Sequence, residues 1–423
     1  MYVLNLKRLR LPLLISVVLL LAWAVSAWPL GLRLVSSYQT TALVSCPWGA
    51  GAGAVGAGPD RLGRLQGPRS FAVDVRGGLL LADTHNHRVL RYAPSGEPLP
   101  DGTLEMVAGD YPVHVAADGR GNIYVAPGAT TRVLCFDRDG IAAGQVDLAS
   151  VLSAGTGDPW SSIGDADAGP NDPGPNGPKP DDPGESAPSQ GDPGHAGCGD
   201  AGCGDPGCGA APADGDWLLL GIWGANRSGF LGRPTGDGVY AHLVRYGGLG
   251  GESRLVYLDR PGGSSREVLR FATAPAEGPG PLPESFCTGA RGQLALSFRN
   301  GPFGINIRVY DDRGAELWDA DLTRDSVITG SQLIGGDRKG HFFLAIEYGA
   351  SAEVVRFGQR AEPVVVAALE PFRPRPDVGP TDVPYLTTPA RVDRDGRAYV
   401  AMTDAANFTI ARLVPHGELQ VRR

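Results

Sequence analysis

Gly77–Tyr92 reads GGLLLADTHNHRVLRY, and 44 residues later Gly121–Phe136 reads GNIYVAPGATTRVLCF. The two align without a gap. Gly77 falls on Gly121, Leu79-Leu80-Leu81 on Ile123-Tyr124-Val125, and Arg88-Val89-Leu90 on Arg132-Val133-Leu134. Self-similarity at a fixed period is the signature of a repeat architecture. Looser copies follow: GQLALSFRNGPFGINIRVY from Gly292, GHFFLAIEYGASAEVVRF from Gly340 and GRAYVAMTDAANFTIARL from Gly396. A divergent sixth copy spans WLLLGIW at Trp217 to HLVRY ending at Tyr246.

Each copy follows one grammar: a glycine turn, a short β-rich run, a small or polar loop, and a second β-rich run. Runs of β-branched, aliphatic and aromatic residues between such turns read as strands. Phe71-Ala72-Val73 and His114-Val115-Ala116 supply a strand upstream, and LEMVAG at Leu104 and EPVVVAAL at Glu362 supply connecting ones. A unit of about four antiparallel strands cannot bury both its faces alone, and radial stacking solves that problem. The expected fold is therefore all-β: a six-bladed β-propeller of four-stranded antiparallel blades. Seven blades stay open, because residues 217–285 are irregular enough to hide one. Thr40–Val44 and the terminal ELQVRR are the expected partners in a shared closing blade.

The first copy also carries a family resemblance. Ala82-Asp83-Thr84-His85-Asn86-His87-Arg88-Val89, with Pro68, Val73-Asp74 and Gly77 before it, closely resembles the NHL repeat. The second copy keeps Arg132 but has Pro127 at the acidic position and Thr130 at the Asn position. Later copies keep the glycine turn and a basic residue, Arg308, Arg356 or Arg412. The resemblance covers residues 68–140 specifically and implies a propeller. It implies no particular activity, because one fold hosts many functions. Asp83, Asn86, Arg88 and Arg132 are read as repeat-structural residues, the arginines pairing with turn carbonyls or carboxylates.

The N-terminus has a different character. Lys7, Arg8 and Arg10 precede an uncharged run from Leu11 to Leu32. Such a run is long enough to cross a bilayer as a helix, and the basic residues before it favour an inside N-terminus. Residues 1–10 are thus read as cytoplasmic, 11–32 as a transmembrane helix or signal-anchor, and 33–66 as a linker with a closing strand. Two other readings remain. Val25-Ser26-Ala27 suits cleavage of a secretory signal, giving a secreted protein, and Leu43-Val44-Ser45-Cys46 resembles a lipidation site. All three put the body outside the cytoplasm, with the membrane as a partner.

The propeller is expected in two parts, residues 67–153 and 217–423, separated by residues 154–216. That segment holds 16 Gly, 11 Pro and 11 Asp, with almost no apolar residues beyond Trp160 and Ile163. It should be disordered and leave one face of the ring as a loop. The chain's formal net charge of −8 is local to it. The whole chain has 62 glycines and 36 prolines in 423 residues, which excludes a helical bundle. Its 42% hydrophobic content excludes a wholly disordered chain. Only Lys7, Lys179 and Lys339 are lysine; the arginine bias points to a GC-rich bacterial genome.

Candidate chemistry is sparse. The tract AGCGD-AGCGD-PGCGA places Cys198, Cys203 and Cys208 five residues apart, after His195. Thiolates and imidazole are ligand types for zinc or copper, yet the spacing is not that of a zinc knuckle. Outside the cytoplasm these thiols could instead form disulfides, and repeat slippage accounts for the period without any function. Asp83, His85 and His87 alternate, so on an extended strand they would face one side, as a metal or acid–base site requires. Against that, His87 falls where NHL repeats often carry His, and His114, His242 and His341 sit at other offsets. No catalytic residue and no cofactor is assigned. There is no nucleophile elbow, no phosphate loop and no basic patch for nucleic acid. The expected function is a membrane-anchored, non-enzymatic scaffold taking a protein or small ligand on a propeller face. The alternative is an extracytoplasmic metal-dependent hydrolase or lyase.

Overall fold

The computed structural model describes residues 37–60, 63–107, 109–128, 130–148, 152, 217–224, 238–247, 250–259, 265–272, 282–289, 292–348, 351–359, 361–369 and 390–416. Among them, the strands form six four-stranded antiparallel sheets and one short hairpin. The first blade is β4 (Ser70–Val73), β5 (Leu79–Asp83), β6 (Arg88–Tyr92) and β7 (Pro98–Glu105). The second is β8 (Pro112–Ala117), β9 (Ile123–Pro127), β10 (Arg132–Phe136) and β11 (Ala142–Asp147). The third is β12 (Trp217–Gly224), β13 (Gly238–Gly247), β14 (Gly250–Asp259) and β15 (Ser265–Ala272). The fourth is β16 (Pro283–Thr288), β17 (Leu294–Arg299), β18 (Gly304–Tyr310) and β19 (Glu316–Thr323). The fifth is β20 (Gly330–Gly336), β21 (Phe342–Tyr348), β22 (Ser351–Gly358) and β23 (Ala361–Leu369). The sixth joins β24 (Ala390–Val392), β25 (Ala398–Thr403) and β26 (Asn407–His416) to β1 (Ser37–Pro47). β2 (Gly58–Pro59) and β3 (Leu65–Gln66) form the hairpin between β1 and the first blade.

The first strands of successive blades touch in turn, β4 to β8, β12, β16, β20 and β24, and β24 returns to β4. They therefore surround an axis, and the ring is closed. Each blade buries both faces against its neighbours, which explains the continuous apolar runs in the sequence. In β5, Leu79 and Leu81 pack toward the sixth blade. Leu80 and Ala82 pack toward the second. The same division recurs at every blade interface, so the core is six apolar layers standing between blades.

In four of the blades the link from innermost to second strand is an Asp-x-x-Gly turn. In Asp74–Gly77, Asp118–Gly121, Asp337–Gly340 and Asp393–Gly396, the Asp Oδ1 accepts from the backbone N–H groups two and four residues on. A short acceptor that bonds its own following backbone is what favours Asp at such turns. The same turn joins the third and outer strands at Asp137–Gly140 and Asp311–Gly314, so it marks a hairpin in the blade.

Three expectations are corrected. The closing partner of β1 is Asn407–His416, with Thr41 opposite Arg412 and Cys46 opposite Phe408. ELQVRR lies outside the described residues. The physical reason is that 407–416 already carries the buried Phe408, Ile410 and Leu413, so the N-terminal strand docks directly beside them. Next, Trp217–Trp223 is an innermost strand, not a second one. No Asp-x-x-Gly turn lies between it and Val239, so its phase is not marked in the sequence. Finally, the stretch thought able to hide a seventh blade forms one blade across residues 217–272.

Residues 11–32, read as a transmembrane helix or signal-anchor, lie outside the described residues, as does all of 154–216. Among the described residues, no helix is long and apolar enough to cross a membrane. Cys46 is buried in β1, with Sγ 3.4 Å from the Tyr92 hydroxyl, which leaves no room there for a lipid chain.

Candidate functional site

The innermost strands leave an axial channel that is narrow at one end and wide at the other. The narrow end lies where these strands finish, and holds about 40 Å³. Small residues bring backbones together there. A Cβ at Gly335, whose φ is +144°, would lie 2.6 Å from the Val392 carbonyl oxygen. A Cβ at Gly224 would collide with the Ala117 carbonyl. The wide end lies where the strands begin, and is a chamber of about 240 Å³. All six blades line it, with Arg69, His114, His242, Glu284, Gln332 and Arg391 as one polar residue from each.

Arg391 and Trp223 line both ends and form the waist between them. Arg391 is only 8% exposed, and its guanidinium lies over the Trp223 ring, 4.5 Å from the centroid. Nη1 donates to the neighbouring Ala390 carbonyl at 3.2 Å. Loss of water pushes its pKa down to about 9, which leaves it cationic at neutral pH. Around the chamber the other titratable groups are held. Both oxygens of Glu284 accept hydrogen bonds, from Arg299 Nε at 3.0 Å and Ser331 Oγ at 3.0 Å. Burial, followed by the positive charges of Arg391 and Arg69, pushes His114 down to about 4, against a bond to the Leu219 backbone. Burial alone pushes His242 down to about 4. Its Nε2 lies 2.8 Å from Ser253 Oγ, and its ring meets the Phe286 ring at 5.5 Å.

Both histidines are thus neutral in the fold at pH 7, whereas the unfolded chain titrates near pH 6.5. The unfolded state binds more protons between these values, so stability is full above pH 6.5 and falls as pH drops toward 4. Between pH 7 and 5 each histidine should account for about 2 kcal/mol of that loss. Urea unfolding across this range should show the slope, and His242→Gln should flatten it. An unchanged slope in that variant would show that His242 stays protonatable in the fold.

The NHL-like residues lie away from the axis, at the junction of the first and last blades. Asp83 is fully buried. Its Oδ1 accepts from Gly56 N at 2.8 Å, and its Oδ2 from Asn86 Nδ2 and Arg88 Nε, both at 2.9 Å. Arg88 Nη2 donates to the carbonyls of Gly51 at 2.9 Å and Ala54 at 2.7 Å. Asn86 Nδ2 also reaches the Gly49 carbonyl at 2.9 Å. These three side chains clamp the glycine-rich loop that leads out of β1. In the second blade Arg132 does related work, with Nη2 2.7 Å from Asp110 Oδ1 in the connection from the first blade.

His85 and His87 are not brought together with Asp83 as an alternating set. Thr84–Asn86 is one turn of 3-10 helix, and His87 follows it in the left-handed region at φ 54°. The strand geometry assumed for alternation is absent. His85 packs against the backbone at Gly56 and Gly58. His87 Nδ1 lies 3.1 Å from the Asp110 carbonyl oxygen, and its ring meets Tyr111 edge-on. Cys198, Cys203 and Cys208 lie outside the described residues. Cys46, Cys135 and Cys287 are buried free thiols. Burial pushes Cys135 up to about 12 and Cys287 higher still, so neither is a thiolate at neutral pH. Among the described residues, no three His, Cys, Asp or Glu side chains gather to hold a metal ion.

Sequence reading missed Arg391. Two residues before the turn Asp, the first, second and fifth blades carry Ala72, Ala116 and Gly335, while the sixth carries Arg391. One long cation among small residues at the same innermost position was the available signal.

The NHL repeat matches residues 65–92. Comparison with curated proteins finds no match by sequence. Among solved structures, the chain is similar to a streptogramin B lyase, at 10% identity over 85% of this chain and 86% of that one, with a TM-score of 0.39. It is similar to regucalcin from Agrobacterium tumefaciens, described as a calcium-binding protein, at 10% identity over 93% and 100% of the chains, with a TM-score of 0.38. It is also similar to virginiamycin B lyase from Staphylococcus aureus, at 10% identity over 82% and 95% of the chains, with a TM-score of 0.37. At these identities and scores, nothing about activity transfers. With five more four-stranded blades completing the ring, the chain is a six-bladed β-propeller whose first blade carries a match to the NHL repeat.

Proposed function

We propose that the protein is an extracytoplasmic, non-enzymatic binding module, tethered by residues 11–32, whose ligand occupies the wide end of the axial channel. The observation that carries this reading is the chamber of about 240 Å³ to which every blade contributes. A pocket of mixed apolar and polar lining on a rigid scaffold is the usual form of a small-molecule site. Binding fits better than turnover because the chamber's titratable groups are committed. Glu284 is doubly hydrogen-bonded, and both histidines have their pKa well below neutral. A general acid or base works best with a pKa near the operating pH. The tether rests on the basic residues Lys7, Arg8 and Arg10 before an uncharged run of bilayer length.

Native mass spectrometry of the purified full chain is the test. A small molecule retained by the wild type should be lost from Leu220→Trp, which adds bulk to the chamber wall. A ligand that survives this substitution would move the site to the outer loops. A stoichiometric divalent ion, lost on His85→Ala or His87→Ala, would replace binding with the metal-dependent hydrolase or lyase. Protease added to intact cells should digest the propeller, and its protection there would place the body inside.

A further inference from the structure

We propose that Arg391 anchors a site for a small organic carboxylate at the waist of the axial channel. The proposal rests on the binding-module reading and names the ligand class of the same chamber. Its first support is an uncompensated charge. Among the described residues no carboxylate lies within ion-pair distance of Arg391, although the side chain is more than nine-tenths buried. Buried charges are ordinarily paired, because removing an ion from water is costly. The nearby carboxylates are engaged elsewhere. Asp393 Oδ1 accepts from two turn amides and Oδ2 from the Tyr399 hydroxyl, while Asp74 Oδ1 likewise caps its own turn.

The second support is preorganisation. The guanidinium has five N–H donors in a planar fork, and among the described residues one protein acceptor is seen, the Ala390 carbonyl. Trp223 lies against its face and holds the plane. A carboxylate matches such a fork with two parallel charge-assisted hydrogen bonds.

The third support is the rest of the wall. The positive charges of Arg69 and Arg391 both reach His114, and Glu284 is ion-paired with Arg299. Val113, Leu220, Ile222 and Phe286 supply apolar surface for an organic body. Gln332 Oε1 is buried without a hydrogen-bond partner among the described residues and lines the same chamber, open to a donor on the ligand. A dry cavity of about 150 Å³ accepts benzene, so a chamber of about 240 Å³ has room for a molecule the size of benzoate.

Isothermal titration of the purified full chain with sodium benzoate, benzamide and sulfate at constant ionic strength tests the proposal. Benzoate should bind one to one. Benzamide, which keeps the shape and lacks the charge, should bind at least roughly tenfold more weakly, and so should sulfate, which lacks the apolar body. Arg391→Met should weaken benzoate by at least roughly tenfold, with Arg391→Lys intermediate because it keeps the charge and loses the fork. If Arg391→Met does not fold, Arg391→Lys and the benzamide comparison on the wild type decide. Equal binding of benzoate to wild type and Arg391→Met, sulfate matching benzoate, or no benzoate binding at millimolar concentration would each overturn the assignment. A neutral ligand retained by the wild type and lost from Leu220→Trp would overturn it as well, while leaving the binding-module reading standing.

Discussion

Deleting residues 37–47 is expected to abolish the cooperative unfolding transition of the propeller. β1 is the outer strand of the sixth blade, so its loss leaves the outer edge of β26 without a partner at the seam where the ring closes. Val44 and Cys46 leave the apolar layer they share with Phe71, Leu81 and Phe408. These two side chains alone account for roughly 2–4 kcal/mol of burial, and the lost ladder adds to that. A domain has about 5–15 kcal/mol of stability in all, so the ring should open or aggregate at ordinary temperature. Val44→Asp tests the same seam without shortening the chain, because it puts a carboxylate where the valine is 2% exposed. Both should be read by calorimetry and limited proteolysis. A sharp, wild-type-like melt in the deletion variant would mean that the described closure does not hold the ring.

Asp83→Ala should be the most damaging single substitution outside the apolar layers. It removes an acceptor that satisfies Gly56 N, Asn86 Nδ2 and Arg88 Nε together. The Arg88 guanidinium would then stay buried without its carboxylate. Breaking a buried pair in that way costs about 3–5 kcal/mol, whereas replacing both partners costs less. The double variant Asp83→Ala with Arg88→Met should therefore be more stable than Asp83→Ala alone. Urea unfolding of the two variants gives the comparison. If the single variant loses less than about 1 kcal/mol, water reaches the node and the clamp on residues 49–56 is not structural.

The fold could be read from the sequence wherever the turn was marked. Leu79-Leu80-Leu81 and Ile123-Tyr124-Val125 are apolar at consecutive positions because both faces of each blade are covered. Asp74, Asp118, Asp337 and Asp393 mark the ends of four of the six innermost strands. The third blade has no such mark near Trp217, and there the phase slipped by one strand. His85 and His87 misled for a local reason. Alternation implies a shared face only on an extended backbone, and Thr84–Asn86 coils into a single turn. The chamber was illegible because its polar residues come from six blades and lie scattered along the chain from Arg69 to Arg391. Their convergence is a property of the closed ring, and no spacing along the chain encodes it. Arg391 alone could have been found, by comparing the same innermost position across blades.

A ligand site built around Arg391 on the ring's axis is best tested by a crystal structure of the full chain with benzoate near the concentration that half-saturates it in solution. The carboxylate should lie within hydrogen-bonding distance of the Arg391 guanidinium, with the ring against the wall formed by Leu220, Ile222 and Phe286. Benzoate bound on an outer loop, with only water beside Arg391, would contradict it.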